Sequence, residues 1–76
     1  PQIISVEPDD TGAAVFRLGQ RTLADRASLA AVIKDLPKEG GIFVKVSGRV
    51  AVEAGAAALQ ACKDAGFTRI TYVPAN

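Results

Sequence analysis

The sequence predicts an α+β domain, a small two-layer sandwich in which a mixed sheet of four or five strands carries two helices on one face. Two observations lead to this prediction. Residues 42–73 pass from strand periodicity to helix periodicity and back, as a strand, a crossover helix and a second strand would. Before them, segments rich in β-branched residues precede one amphipathic helical segment. The predicted element order is therefore ββ(β)αβαβ.

The first 23 residues predict two strands and a short third. Residues 2–7, reading QIISVE, are rich in β-branched side chains and end at Pro8, which cannot donate to a strand ladder. Residues 9–12, reading DDTG, are typical of a turn, and residues 13–18 then predict a second strand. Another turn at residues 19–20 leads to a short strand at residues 21–23. The first two strands are expected to form a hairpin.

The next segment predicts an amphipathic helix. Leu29, Val32, Ile33 and Leu36 follow helical spacing, Asp25 is suited to cap the N-terminus, and the helix should end before Pro37. A polar turn at residues 38–41 then returns the chain to the sheet. The alternating Ile and Val residues of segment 42–46 predict a central strand.

A second helix and a last strand complete the pattern. The helix should begin near Ala51 and end before Gly66, a residue suited to the left-handed conformation that follows many helices. Residues 67–73 predict a strand parallel to residues 42–46. The side chains expected to face the sheet are Val52, Gly55, Ala56, Leu59 and Cys62.

Length and composition predict one domain and exclude several functions. The chain has 76 residues, a net charge of +1, no histidine and one cysteine. The charges alternate without forming a basic stripe, so nucleic-acid binding is not expected. Without histidine, the commonest general base and metal ligand is missing. We predict no catalytic residues, no metal site and no cofactor, assign Asp9 and Asp10 to a turn, and expect Cys62 to be a small buried residue.

Two stretches are candidate binding sites. Ser47, Gly48 and Arg49 lie between a parallel strand and a helix N-terminus, where backbone N–H groups favour anions such as phosphate or carboxylate. The alternative to an anion site is a plain turn between strand and helix, which such a short and unspecific motif favours. The second site is an exposed strand edge. Gln2, Ile3, Ile4, Ser5 and Val6 form a terminal, β-prone, uncharged segment that is suited to pairing with a partner peptide or a second copy of the chain.

The order and spacing of these residues resemble the periplasmic domain of the ExbD/TolR family of biopolymer transport proteins. The resemblance covers nearly the whole chain. It is carried by FVKV at residues 43–46, by Val50 and Val52, by KDAGF at residues 63–67 and by Arg69-Ile70, with ISV at residues 4–6 and FRLG at residues 16–19 in the earlier half. Two positions depart from the family: Ser47 stands where Asp is common, and Val52 where Tyr or another large residue is common.

The resemblance implies a function that no single motif of the chain shows. Family members have one N-terminal transmembrane helix followed by this domain in the periplasm of a Gram-negative bacterium. They join an ExbB/TolQ-type protein in the inner membrane and use the proton-motive force to drive a TonB- or TolA-type transducer. By resemblance we expect a non-enzymatic, homodimeric domain that binds such a transducer, with residues 2–6 as the binding strand. The alternatives are a peptidoglycan-binding module and a small-ligand-binding or enzymatic domain with a polar pocket near Ser47.

Overall fold

Two helices cover one face of a five-stranded sheet. The computed structural model describes residues 2–75, in which the element order is βββαβαβ. The elements are β1 (Gln2–Pro8), β2 (Ala14–Leu18), β3 (Arg21–Leu23), α1 (Arg26–Ile33), β4 (Ile42–Ser47), α2 (Val52–Asp64) and β5 (Ile70–Ala75). The predicted α+β class is confirmed, and the short third strand is present.

The central strand of the sheet is β1. The strand order is β3-β2-β1-β4-β5. β1 pairs antiparallel with β2 and parallel with β4, and β4 pairs parallel with β5. The predicted hairpin of the first two strands and the parallel pairing of the last two are therefore confirmed.

The prediction that residues 2–6 form an edge of the sheet is wrong. Gln2, Ile3, Ile4, Ser5 and Val6 pair in register with residues 42–46 of β4, and from Ser5 onward β1 also pairs with β2. The β1–β2 hairpin leaves one side of β1 without hydrogen-bond partners, and buried backbone groups need partners. After α1 crosses the sheet, β4 takes that side. Being first in the sequence therefore did not place β1 at the edge.

The core lies between the sheet and the helices. The side chains of Ile4 and Val44 point toward the helices and are fully buried, whereas their neighbours Ile3 and Phe43 point to the opposite face and are 48% and 38% exposed. This alternation is what the strand periodicity predicts. The buried apolar residues are Ile4, Val6, Phe16, Leu29, Ile33, Ile42, Val44, Val46, Ala58, Ala61, Cys62, Ala65 and Phe67.

Side chains hold both ends of α1. The carboxylate of Asp25 accepts a hydrogen bond from the Ser28 N–H at 2.7 Å, which confirms the predicted N-cap. The helix ends at Ile33, earlier than Leu36, because the chain tightens into a turn in which the Leu36 N–H donates to the Ile33 carbonyl. Lys38 Nζ donates to the carbonyls of residues 34 and 36 at 2.7 and 3.2 Å. The ammonium group thus satisfies carbonyls that the helix end leaves without partners.

The second helix begins where the sequence predicts, but the predicted face is partly wrong. Its buried residues are Gly55, Ala58, Ala61 and Cys62, whereas Val52 is 86% exposed, Ala56 is exposed and Leu59 is half-buried. The helix lies close to the sheet at Gly55, where an added Cβ would be 3.3 Å from a methyl group of Val46. Val52 and Leu59 line a groove together with Tyr72 of β5.

A Schellman motif ends α2 and delays the last strand. Gly66 has a φ of +99°, its N–H donates to the Lys63 carbonyl at 3.0 Å, and the Phe67 N–H donates to the Cys62 carbonyl at 3.0 Å. The ring of Phe67 is buried as part of this motif. Because Phe67 belongs to the helix end, β5 begins at Ile70 and not at residue 67.

Candidate functional site at the β5 edge

The outer side of β5 carries no paired strand in the described sheet. The Ile42 N–H donates to the Arg69 carbonyl at 2.9 Å, and the Gly48 N–H donates to the Ala75 carbonyl at 3.0 Å. Alternate residues of a parallel strand bond to the same neighbour, so the backbone groups of Ile70, Tyr72 and Pro74 face outward. Proline has no N–H. The outward donors of this edge are therefore those of Ile70 and Tyr72.

An apolar groove lies beside this edge, between β5 and α2. Its volume is about 340 Å³, and its polar lining side chains are Ser47 and Tyr72. Val52 and Tyr72 are large side chains that line the groove and stay 86% and 53% exposed. The lining residues are Val46, Ser47, Gly48, Val50, Ala51, Val52, Gly55, Ala56, Leu59 and Tyr72. A groove of this composition is suited to an apolar side chain.

The opposite edge of the sheet is shorter. β3 has three residues, and Arg21 and Thr22 are exposed. An open groove of about 590 Å³ separates this edge from α1 and is lined by Leu18, Arg21, Ala31, Val32, Asp35 and Leu36. A three-residue strand offers few backbone hydrogen bonds to a partner, so β5 is the better candidate for strand addition.

In the turn predicted as an anion site, the backbone N–H groups of residues 48–50 already donate hydrogen bonds within the protein. The Ser47 hydroxyl accepts from the Arg49 N–H at 3.1 Å, the Gly48 N–H donates to Ala75, and the Val50 N–H donates to the Ser47 carbonyl at 3.4 Å. An anion at this turn would have to displace these bonds. The local geometry therefore favours the alternative interpretation, a plain turn that closes β4 and leads into α2.

The carboxylate of Asp9 stabilises the first turn. Asp9 Oδ1 accepts hydrogen bonds from the hydroxyl of Thr11 at 2.7 Å, from the Thr11 N–H at 2.8 Å and from the Ala13 N–H at 3.1 Å. These bonds hold the pKa of the Asp9 carboxyl below its usual value, and the bond from the Thr11 hydroxyl has the largest effect. Asp9 thus performs the turn role that its sequence position predicts.

Three features of residues 2–75 bear on their possible chemistry. Among these residues no polar or charged side chain is buried, and no three His, Cys, Asp or Glu residues are grouped to hold a metal ion. Cys62 is fully buried, and burial raises the pKa of its thiol to about 11, so the nucleophilic thiolate is suppressed at neutral pH. The described helices are also too short and too polar to span a bilayer.

The β5 edge and its groove are the features that sequence reasoning missed. One signal was present, because a proline within a strand-like run marks an edge strand, and Pro74 follows the β-branched residues of β5 directly. The groove had no comparable signal, since it depends on the rotation of α2. No family model, curated protein or solved structure matches the chain significantly.

Proposed function

We propose that this chain is a non-enzymatic, partner-binding domain of the ExbD/TolR type. In this proposal it works in the periplasm of a Gram-negative bacterium, as part of a homodimeric protein anchored in the inner membrane by a preceding helix. That helix would contact an ExbB/TolQ-like protein. The domain would hold an extended segment of a TonB- or TolA-like transducer in one energetic state of the complex and release it in another.

The Ala-Gly pair that resembles the family supports the proposal, and the two departing positions have definable structural roles. Ala65 and Gly66, the pair that the family has before its last strand, end α2 with the left-handed residue that a Schellman motif needs. Ser47 stands where Asp is usual, and its hydroxyl accepts a hydrogen bond from the Arg49 N–H, a bond that an Asp carboxylate in a turn can also accept. Val52 replaces a larger residue and is an exposed apolar side chain of the groove.

The observation that carries the proposal is the open edge of β5. A domain that holds an extended segment needs unpaired backbone groups for affinity and a neighbouring apolar surface for selectivity. β1 was expected to supply them, but it lies in the middle of the sheet, where residues 2–6 pair with β4 and residues 5–8 pair with β2. β5 offers a six-residue strand with one side open and a groove beside it. We therefore place the partner segment on β5.

Amide resonances of the isotope-labelled domain test this placement. A TonB- or TolA-like periplasmic peptide should shift the amide signals of Ile70 and Tyr72 and slow their hydrogen exchange, because these N–H groups face outward. The amides of β3, at the other edge, should change less. Unchanged β5 signals at high peptide excess would contradict the proposal.

Two variants at one position separate backbone pairing from side-chain contact. Tyr72→Pro removes an outward N–H, and Tyr72→Thr removes the ring but keeps that N–H. Proline is tolerated where the N–H of an edge strand faces solvent, so the first variant should fold. Strand addition predicts weaker binding to the proline variant than to the threonine variant. Equal affinities would mean that the peptide binds through side chains alone.

A further inference from the structure

The charge and shape around β5 define the kind of segment that fits it. We infer that the partner strand carries a bulky apolar side chain opposite Tyr72 and an acidic side chain near each end. This inference rests on the proposed strand addition at β5 and names the chemistry of the segment that is bound there.

The backbone of β5 centres the ladder on Tyr72. The outward N–H groups belong to Ile70 and Tyr72, and the third outward position, Pro74, can only accept. The backbone of Tyr72 can both donate and accept, and it lies between the two other outward-facing residues, Ile70 and Pro74. A short added strand therefore pairs most completely when its middle residue lies opposite Tyr72.

The side chain opposite Tyr72 lies on the groove side of the sheet. Tyr72 is in register with Val44, whose side chain points toward the helices, and directly paired residues project to the same face. An incoming side chain at this position would lie beside the ring of Tyr72, at the groove that Val52 and Leu59 also line. A Phe or Leu there removes apolar surface from water on both partners.

Basic residues lie in the chain close to both ends of this strand. Arg69 immediately precedes β5, and Arg49 follows the residue whose N–H bonds to Ala75 at the other end. Lys63 lies one helical turn after Leu59, toward the end where β5 begins. The one salt bridge among residues 2–75 joins Arg17 to Glu7, so none of these three cations is in an ion pair there.

The length of β5 sets the spacing that we infer for the acids. Residues 69 and 75 are six positions apart, which is about 20 Å along an extended strand. In the sequence, the acidic residue nearest to Arg49 is Glu53, in the first turn of α2, and the one nearest to Arg69 is Asp64, which accepts a hydrogen bond from Gln60. Arg69 itself donates to the backbone carbonyl of Glu39 at 3.4 Å. A partner with carboxylates six residues apart complements the two ends of β5.

A synthetic peptide with this pattern tests the inference. Asp-Val-Thr-Phe-Thr-Val-Asp, with blocked ends and one fluorophore, reads the same in both directions, so parallel and antiparallel addition present the same side chains. Its controls replace both Asp residues with Lys, or Phe with Ser. In anisotropy titrations the Asp peptide should bind about tenfold tighter than the Lys peptide, because two weak exposed attractions become repulsions. The Phe-to-Ser change should weaken binding by about tenfold or more.

Charge reversal in the protein is the matched control. The double variant Arg49→Glu, Arg69→Glu should prefer the Lys peptide, whereas Arg26→Glu, on the exposed start of α1, should keep the preference for Asp. Raising the salt concentration should reduce both preferences. If the Asp and Lys peptides bind equally while both protect the Tyr72 amide, the inference is overturned and strand addition at β5 stands. If no peptide perturbs Ile70 or Tyr72, both are overturned.

Discussion

Cys62 illustrates how much one buried residue depends on its surroundings. It lies on the face of α2 that packs against the sheet, where small residues keep the helix close to the strands. Its thiol contributes to packing and loses its tendency to ionise, since the pKa rises from an ordinary value of 9.0 to about 11. The same burial that suppresses reactivity therefore makes folding sensitive to alkaline pH.

The alkaline pH dependence of stability tests this coupling. Between pH 9 and 11 the thiol ionises in the unfolded chain but not in the folded one, so the unfolded state binds fewer protons and the free energy of unfolding falls as the pH rises. Urea denaturation of the wild type and Cys62→Ala at several pH values isolates this term. The stability advantage of the wild type should shrink by on the order of 1 kcal/mol by pH 11. A constant difference across that range would contradict the prediction.

At the scale of elements, periodicity predicted the type and order of the helices and strands but not all their neighbours. Alternation of side chains assigns faces, and the alternating residues Ile42, Val44 and Val46 do lie in the core. It carries no information about which strands lie side by side, and so β1 was assigned to an edge. The face of α2 was ambiguous because its Ala and Gly residues offer similar bulk on several sides. Tertiary contact at Gly55 decides the rotation, and this exposes the groove.

The short α1 depends on a side chain from beyond its own end. It has eight residues and no basic residue in its last turn, so Lys38 supplies the donors for its carbonyls. The same ammonium group lies 5.3 Å from the centre of the Phe67 ring, at the end of α2. Lys38 therefore links the ends of both helices.

Replacing the ammonium group of Lys38 tests this link. Lys38→Met keeps an unbranched apolar stem against Phe67 but removes two hydrogen bonds and the cation. We expect a loss of about 1–2 kcal/mol in the free energy of unfolding, measured by urea denaturation. The control is Lys34→Met, because that exposed ammonium group makes no hydrogen bond within residues 2–75. A loss of equal size in both variants would mean that general charge, not the cap, is responsible.

At the scale of the whole molecule, the sheet has two edges and one uncovered face. The uncovered face combines the apolar side chains of Ile3 and Phe43 with Lys45 and with the Arg17–Glu7 ion pair, whose atoms are 3.0 Å apart. The β3 edge is limited by its length, and the β5 edge by Pro74. Charged side chains on the open face and a proline in the edge strand both hinder edge-to-edge aggregation with other sheets.

The role of Pro74 leads to a prediction about self-association. Pro74→Thr adds an outward N–H and a β-branched residue to β5, so the edge becomes longer and more regular for strand addition. Sedimentation velocity should show stronger concentration-dependent association for this variant than for the wild type. Pro37→Thr is the control, since Pro37 is an exposed proline in the loop after α1. Adding Tyr72→Pro to Pro74→Thr should reverse the gain by removing a neighbouring outward donor. If the double variant associates as strongly as Pro74→Thr alone, the self-association does not occur through the β5 edge. That result would contradict the assignment of the partner segment to this edge.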